Sequence, residues 1–131
     1  MDKAKAFFEE QVWAVVGASD NKDKFGYKIY KTMQEGWKVY PVNPRLQDID
    51  GAVCYHDLAE LPEKPGVVNL VTNPMVSLEV VKQCKELGIN RVWIQPGAED
   101  SEVIRFCDEN GIEVLSKRCA MAESRHNMPR C

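Results

Sequence analysis

The sequence contains no long hydrophobic run, no extended basic segment and no closely spaced pair of cysteines, and each absence excludes a class of protein. A membrane helix needs about 18 consecutive apolar residues, and no segment approaches that length. A formal charge of −3 without a basic run argues against a nucleic-acid partner, whose binding requires many phosphates to be neutralised. The cysteines are odd in number and lack the C-x-x-C spacing, so they predict reduced thiols and neither a disulfide framework nor a metal site; they are Cys54, Cys84, Cys107, Cys119 and Cys131.

Length and composition are those of one small globular domain. With 131 residues the chain can bury roughly two-thirds of its unfolded surface, and no repeat or linker divides it. We therefore predict a single domain over residues 1–131. The first ten residues contain acids and too short an apolar stretch for a secretory signal, so we expect a cytoplasmic protein.

Short apolar runs alternate with amphipathic segments along the chain, which is typical of an α/β fold. Five runs predict buried strands, and helical periodicity lies between them. Right-handed crossovers then give a Rossmann-like, doubly wound parallel sheet, for which we expect the strand order 3-2-1-4-5 and a switch point between the first and fourth strands. Ligands of such sheets bind at the carboxyl ends of the strands. The predicted strands are 12–16, 38–42, 67–71, 91–94 and 112–115.

Capping residues mark the helix boundaries. Apolar residues four apart between 24 and 35 predict a helix that Gly36 would end in a left-handed conformation. Asn73 and Pro74 predict the N-cap and first residue of a later helix, which Gly88 ends. The segment from residue 116 onward is polar and predicts no element.

The loop after the first strand has the features of a phosphate-binding turn. Gly17, Ala18 and Ser19 carry little bulk, so an anion can approach backbone N–H groups at the start of the following helix. Lys22 and Lys24 add flexible cations, Ser19 adds a hydroxyl, and Gly26 opens the helix. The alternative interpretation is a tight strand-to-helix turn, which any α/β domain needs.

The second strand ends in Pro-Val-Asn-Pro, where a NAD site would carry an acid for the ribose hydroxyls. This absence indicates a nucleotide-like ligand other than NAD. Arg45 follows directly and offers a guanidinium to a phosphate, although a solvated surface arginine is an equal alternative.

Several motifs together resemble one known family. They are Val-Gly-Ala-Ser at 16–19, Gly-Trp-Lys-Val-Tyr-Pro-Val-Asn-Pro at 36–44, Asn-Pro at 73–74, Val-Trp-Ile-Gln-Pro-Gly at 92–97 and Arg-Cys-Ala-Met at 118–121. This pattern resembles the stand-alone CoA-binding proteins, which are similar to the N-terminal CoA-binding domain of the succinyl-CoA synthetase alpha subunit. The likeness covers about residues 11–125.

The resemblance implies a set of CoA-binding residues grouped by the part of the ligand they would contact. The phosphates would lie against Gly17, Ala18, Ser19 and Lys24. The adenosine-phosphate side would be lined by Asn43, Pro44 and Arg45, and the adenine or pantetheine path by Val71, Thr72 and Pro74. Gln95 and Gly97 would close the rim.

The sequence offers few groups for catalysis. The two histidines, His56 and His126, do not follow predicted strands, and Asp57 and Glu60 are explained by a solvated helical turn. Cys119 is either a pocket wall, which we favour, or a redox-sensitive thiol. We therefore predict no catalytic residue and no metal ligand.

These observations favour a small module that binds CoA or an acyl-CoA and catalyses nothing alone. It would either form a homodimer or bind a partner enzyme. One alternative is a component of an NAD(P)- or CoA-dependent redox or thiol enzyme, using Cys119 or a partner chain. Another is a receiver-type signalling domain. That class needs clustered carboxylates at the early strand ends, where Gly17, Asn43 and Thr72 stand instead.

Overall fold

A computed structural model describes residues 3–98 and 100–124 and contains a five-stranded parallel sheet with a separate antiparallel hairpin. The α/β, Rossmann-like class and the five parallel strands predicted from the sequence are confirmed. The sheet strands are β1 (Val12–Val16), β2 (Lys38–Val42), β5 (Val67–Leu70), β6 (Arg91–Ile94) and β7 (Glu113–Ser116), and the hairpin strands are β3 (Asp48–Ile49) and β4 (Ala52–Val53).

The predicted strand order was wrong. The observed order is β2-β1-β5-β6-β7, which is 2-1-3-4-5 in the numbering of the five predicted strands, so the switch point lies between β1 and β5. Pro41 explains the difference. It pairs with Val15 of β1, and its carbonyl oxygen accepts a hydrogen bond from the Tyr55 N–H on the opposite side. Because proline has no N–H, it is confined to edge strands, and the order 3-2-1-4-5 would have placed β2 in the interior.

The described residues contain five α-helices and one 3-10 turn; α2, α3, α4 and the turn lie between strands, whereas α1 precedes β1 and α5 follows β7. Asn73 caps α3 by accepting the Val76 N–H at 2.9 Å, Pro74 occupies the first turn, and Gly88 ends the helix with φ +74°. Gly36 was expected to be left-handed after α2 and is not, because Glu35 ends that helix in a right-handed conformation. The segment after residue 116, expected only to be polar, contains a short helix. The elements are α1 (Lys3–Glu9), α2 (Phe25–Gln34), α3 (Pro74–Leu87), α4 (Ser101–Glu109), α5 (Ala120–Ser124) and the turn Leu58–Glu60.

Apolar side chains cover both faces of the sheet. One face carries Trp13 and Trp93 and is covered by α1, α2 and α5, whereas the other carries Val68 and Ile94 and is covered by α3 and α4. This arrangement leaves the carboxyl ends of the strands as the edge at which connecting loops meet. No helix among the described residues is long and apolar enough to cross a membrane.

The long connection after β2 is anchored to α2 by the hairpin. Asp50 and Gly51 form its turn with φ of +51° and +86°, and Ile49 is fully buried against α2. The Tyr27 hydroxyl donates to Asp50 at 2.7 Å, which lowers the pKa of the carboxyl. The segment that begins at Asn43 therefore has a fixed place beside α2.

Candidate functional site

Two glycines bring the start of α2 against the end of β1. Gly17 has φ +96°, and a β-carbon there would overlap the carbonyl oxygen of Val71 at the end of β5. A β-carbon on Gly26 would overlap the carbonyl oxygen of Gly17. Glycine is therefore required at both positions, and the loop 17–19 lies directly over the helix N-terminus.

This junction presents unpaired backbone donors. The N–H groups of Ala18, Ser19, Phe25 and Gly26 donate to no other residue within 3–98 and 100–124. Lys24 occupies the N-cap of α2 without a side-chain hydrogen bond to the helix, so its ammonium remains exposed to solvent. Phe25 and Gly26 lie at the positive end of the helix, and Ala18 and Ser19 lie in the loop above it. Ala18 and Gly26 are buried, whereas Ser19 and Phe25 reach the surface, where unpaired N–H groups are suited to an anion.

Asn43 ties the second strand end to this junction. Its Nδ2 donates to the carbonyl oxygen of Ala18 at 2.8 Å, and its Oδ1 accepts the Arg45 N–H at 2.9 Å. The side chain thus joins two loops, and it lacks the charge of the carboxylate that binds ribose hydroxyls in NAD sites. Arg45 is exposed and forms no ion pair with the described residues.

A cleft of about 310 Å³ opens beside the junction, between the ends of β1, β2 and β5. A second, apolar cavity of about 170 Å³ adjoins it and shares Val16, Pro44 and Val76. A largely apolar cleft with Asn43, Arg45 and Asn73 at its walls, continuing into an apolar slot, fits a ligand with a charged centre and a flat or aliphatic end. The cleft is lined by Val16, Gly17, Asn43, Pro44, Arg45, Thr72, Asn73 and Val76, and the slot also by Val42, His56, Asp57, Leu58, Val80 and Gln83.

Among the residues predicted for the site, five line the cleft and others build or surround it. Those at the cleft are Gly17, Asn43, Pro44, Arg45 and Thr72. Ala18, Ser19, Lys24 and Gly26 form the anion junction, and Pro74 is exposed at the start of α3. Val71 packs against the apolar cluster of α2 and contributes its carbonyl behind Gly17.

The last two predicted rim residues lie at the end of β6. Gly97 is exposed with φ +96°, whereas Gln95 is almost fully buried beneath α5. Gln95 accepts the Ala120 N–H at 2.9 Å, and its Nε2 donates to the Cys119 sulfur at 3.4 Å.

Sequence reasoning missed several lining residues. Val16 was expected as part of the first strand and Asn73 as an N-cap, and Val76, in the helix that Asn73 caps, was not singled out as a site residue. All three lie at a strand end or a helix start, and this position in the sequence could have identified them as lining residues. His56 and Leu58 come from the long connection, where the sequence did not indicate that the chain folds back over the slot.

The cysteines differ in environment. Cys54, Cys84 and Cys107 are buried, and Cys119 is partly exposed. Burial raises the pKa of Cys84 and of Cys107 to about 12, and it also raises the pKa of Cys54. These three thiols therefore remain protonated at neutral pH.

A doubly wound sheet whose first strand meets a helix start at the carboxyl edge is the architecture of nucleotide-binding α/β domains. A family model described as "CoA binding domain" matches residues 11–125, and the chain belongs to that family. The family agrees with the resemblance found in the sequence.

Curated relatives include longer enzymes and a chain of similar size. The alpha subunit of the ADP-forming acetate–CoA ligase II of Pyrococcus furiosus is 26% identical over 132 residues, which covers 92% of this chain and 29% of the relative. The ADP-forming acetate–CoA ligase of Methanocaldococcus jannaschii is 31% identical over 80% of this chain and 15% of its own length. The protein YneT of Bacillus subtilis is 28% identical, covering 81% of this chain and 79% of that protein. The chain thus spans less than a third of the two ligases.

Solved structures share the fold over nearly the whole chain. A conserved hypothetical protein of Pyrococcus furiosus has a TM-score of 0.82 and 41% identity, covering 86% of this chain and 98% of that one. A hypothetical protein of Pyrococcus horikoshii has a TM-score of 0.85 and 29% identity over 93% of this chain and 90% of its own. Proteins of this size therefore occur with the same architecture.

Proposed function

We propose that this protein binds coenzyme A or an acyl-CoA, with the pyrophosphate at the junction of β1 and α2. The observation that carries the proposal is the set of N–H groups at Ala18, Ser19, Phe25 and Gly26 that find no acceptor among residues 3–98 and 100–124, with Ser19 and Phe25 at the surface. Backbone donors at a helix start bind phosphate oxygens without any change of side-chain conformation. The family membership supports CoA as the ligand.

The remaining parts of CoA match the surroundings of the junction. Arg45 supplies a cation for the 3′-phosphate, and Lys24 supplies another beside the pyrophosphate. The apolar slot next to Pro44 and Val76 accepts the nucleoside end, and the pantetheine arm then extends along the carboxyl edge toward β6. Gln95 and Gly97 stand at that end.

NAD is disfavoured by the same geometry. Asn43 stands where an acid would bind the ribose hydroxyls, and its amide is already bonded to Ala18 and Arg45. We expect CoA to bind at least tenfold more tightly than NAD, a difference of about 1.4 kcal/mol. Titration calorimetry with both ligands measures it, and equal affinities would count against the assignment.

We further propose that the chain is a cytoplasmic module without catalysis of its own, acting alone, as a homodimer or with a partner enzyme. The cleft lining contains no cysteine, histidine or carboxylate. His56 lies at the adjoining slot, half-exposed and 3.7 Å from Glu60, as expected of a surface ion pair. The competing function is a thiol or redox component, and Cys119 is the residue that would support it.

Two measurements test this function. Native mass spectrometry of protein purified without added ligand should show a retained mass of CoA or a thioester, and a retained NAD would contradict the proposal. Acetyl-CoA hydrolysis is then compared between the wild type and Cys119→Ser. Multiple turnovers in the wild type that vanish in the variant would make the protein an enzyme.

A further inference from the structure

We propose that Cys119 undergoes thiol–disulfide exchange with a disulfide of CoA, so that the pantetheine sulfur becomes covalently attached to Cys119 near the carboxyl end of β6. This inference rests on the proposed CoA binding and adds a second, covalent site to it. Its ligand class is a disulfide of CoA, either CoA disulfide or a mixed disulfide of CoA with a small thiol.

The first observation is that buried sheet residues hold the Cys119 turn. Gln95 contacts both sides of it, with Oε1 accepting the Ala120 N–H and Nε2 donating to the Cys119 sulfur. The Trp93 indole N–H donates to the carbonyl oxygen of Arg118 at 2.8 Å. Lys117 enters the turn with φ +62°, an uncommon conformation for a residue with a side chain. The sulfur is thus fixed at the carboxyl edge of the sheet.

The second observation is an unpartnered amide on the same face of the sheet. Asn69 is fully buried in β5, and neither its Nδ2 nor its Oδ1 has a hydrogen-bond partner among residues 3–98 and 100–124. It pairs in register with Trp93, so Gln95 lies diagonally across from it, two residues nearer the carboxyl edge. Ala120 packs in the same cluster as Trp93 and covers this face. Buried amides require partners, and a polar group that enters beneath the Cys119 turn would supply them.

The distance along the edge suits the ligand. Cys119 lies at the end of β6, and β5 separates β6 from β1. The path from the Gly17 loop to the sulfur therefore crosses two to three strand spacings, about 10–14 Å. Twelve bonds join the pyrophosphate oxygen of CoA to its sulfur. Four residues of polypeptide backbone contain the same number of bonds and span about 14 Å when extended, so the pantetheine arm is long enough for this path.

The exchange needs no further oxidant, because the ligand disulfide supplies the oxidised sulfur. The Cys119 thiolate attacks one sulfur of CoA disulfide, the sulfur–sulfur bond breaks, and a bond forms between Cys119 and the retained CoA. The other CoA leaves as a thiolate and takes up the proton that Cys119 released. The products are one protein–CoA disulfide and one free CoA.

The other described cysteines provide internal controls. Cys54, Cys84 and Cys107 are buried, and the Cys84 and Cys107 thiols remain protonated far above neutral pH. Modification should therefore select Cys119 among the described cysteines, and peptide mapping separates it from Cys131.

The test compares CoA disulfide with hydroxyethyl disulfide, a small neutral reagent, on the full chain. Adducts are located by mass spectrometry of non-reduced peptides, and rates are measured with and without saturating desulfo-CoA, which lacks the thiol. We expect Cys119 to react at least tenfold faster with CoA disulfide, and desulfo-CoA to abolish that preference. Cys119→Ser should remove the adduct, whereas Cys54→Ser should keep it.

Asn69→Leu tests the second observation. Replacing an unpartnered amide by an apolar side chain should leave the melting temperature unchanged or raise it, and should lower the preference for CoA disulfide. An unaltered preference in this variant would remove Asn69 from the inference.

The outcomes separate this inference from the proposed function. Calorimetry first establishes whether the wild type binds CoA. If it does, but both disulfides react equally with Cys119 or CoA attaches only at another cysteine, then the covalent site is wrong and the binding function stands. If CoA does not bind at all, both proposals fail.

Discussion

Gly26, in the first turn of α2, lies directly against the carbonyl oxygen of Gly17, at the end of β1. The contact leaves no room for a β-carbon on the helix, and Gly17 in turn lies against the carbonyl of Val71. Three successive pieces of backbone are therefore in contact at the point where we place the pyrophosphate.

The first prediction concerns these glycines. Gly17→Ala should lower the free energy of unfolding by about 3 kcal/mol or more, because it adds steric overlap to the strain of a positive φ. Gly51→Ala is the matched control, since Gly51 also has a positive φ but open space around its β-carbon position; it should cost about 1 kcal/mol. Urea unfolding measures both, and equal losses would show that the overlap is relieved cheaply.

This result matters for how the anion junction is tested. Because a side chain at Gly17 would disturb the fold itself, lost CoA binding in a Gly17 variant would not locate the ligand. The substitutions used below to test CoA binding therefore lie on exposed side chains.

The second prediction places a negative charge in the cleft without weakening its helix. Val76→Glu introduces an acid in the first turn of α3, where it interacts favourably with the helix dipole. The melting temperature should hold or rise, whereas CoA affinity should fall about tenfold, or about 1.4 kcal/mol. Calorimetry and thermal unfolding measure the two effects.

Met75→Glu is the control for that variant. Met75 lies in the same helical turn but is 80% exposed and does not line the cleft. Its substitution adds the same charge to the same helix, so a comparable loss of CoA affinity would show that the cleft is not the phosphate site.

The third prediction concerns Arg45 and the 3′-phosphate. Arg45→Gln should lower the affinity for CoA about tenfold and leave the affinity for dephospho-CoA nearly unchanged. Arg105→Gln is the control, because Arg105 lies on α4 beside Glu109 and away from the cleft. If Arg45→Gln weakens both ligands equally, the guanidinium contacts another part of the molecule.

The fourth prediction is a loss of stability at alkaline pH. The pKa values of Cys84 and Cys107 are about 12 in the folded protein, against 9.0 for an ordinary thiol. Below pH 9 both states hold the thiol protons, so stability is unaffected; as pH rises from 9 toward 12, only the unfolded state ionises, and stability is lost.

At pH 10, each thiol should lower the free energy of unfolding by about 1 kcal/mol relative to its value at pH 7. The measurement compares urea unfolding at pH 7 and pH 10 in the wild type and in Cys84→Ala/Cys107→Ala, since other groups also titrate in that range. An identical pH dependence in both proteins would contradict the raised pKa values.

Local rules predicted the elements well because each boundary is set by residues close in sequence. Asn73, Pro74 and Gly88 define α3 through their own backbone and side-chain chemistry. The Asp50–Gly51 turn follows from the same kind of signal. Strand order is a relation between distant segments, and the alternating pattern is compatible with more than one order. Only Pro41 carried the information that β2 is an edge strand.

The candidate site shows a similar division. Strand-end loops were predicted to meet, and Gly17, Asn43 and Thr72 do line one cleft. The sequence could not show that the Asn43 amide is used to join loops or that Gln95 is buried beneath α5, because the partners of both come from distant segments. The long connection is held beside the slot by contacts between distant segments, among them the backbone hydrogen bonds of Tyr55 with Pro41 and Asn43.

The bridge that Asn43 forms between Ala18 and Arg45 has a thermodynamic consequence. Both walls of the cleft are linked before any ligand arrives, so binding should not have to order a loop and should lose little backbone entropy. Most of the ordering on binding should then occur in the ligand, whose flexible arm loses its rotational freedom along the edge of the sheet. Shortened or rigid analogues of that arm are therefore expected to gain affinity from reduced entropy loss alone.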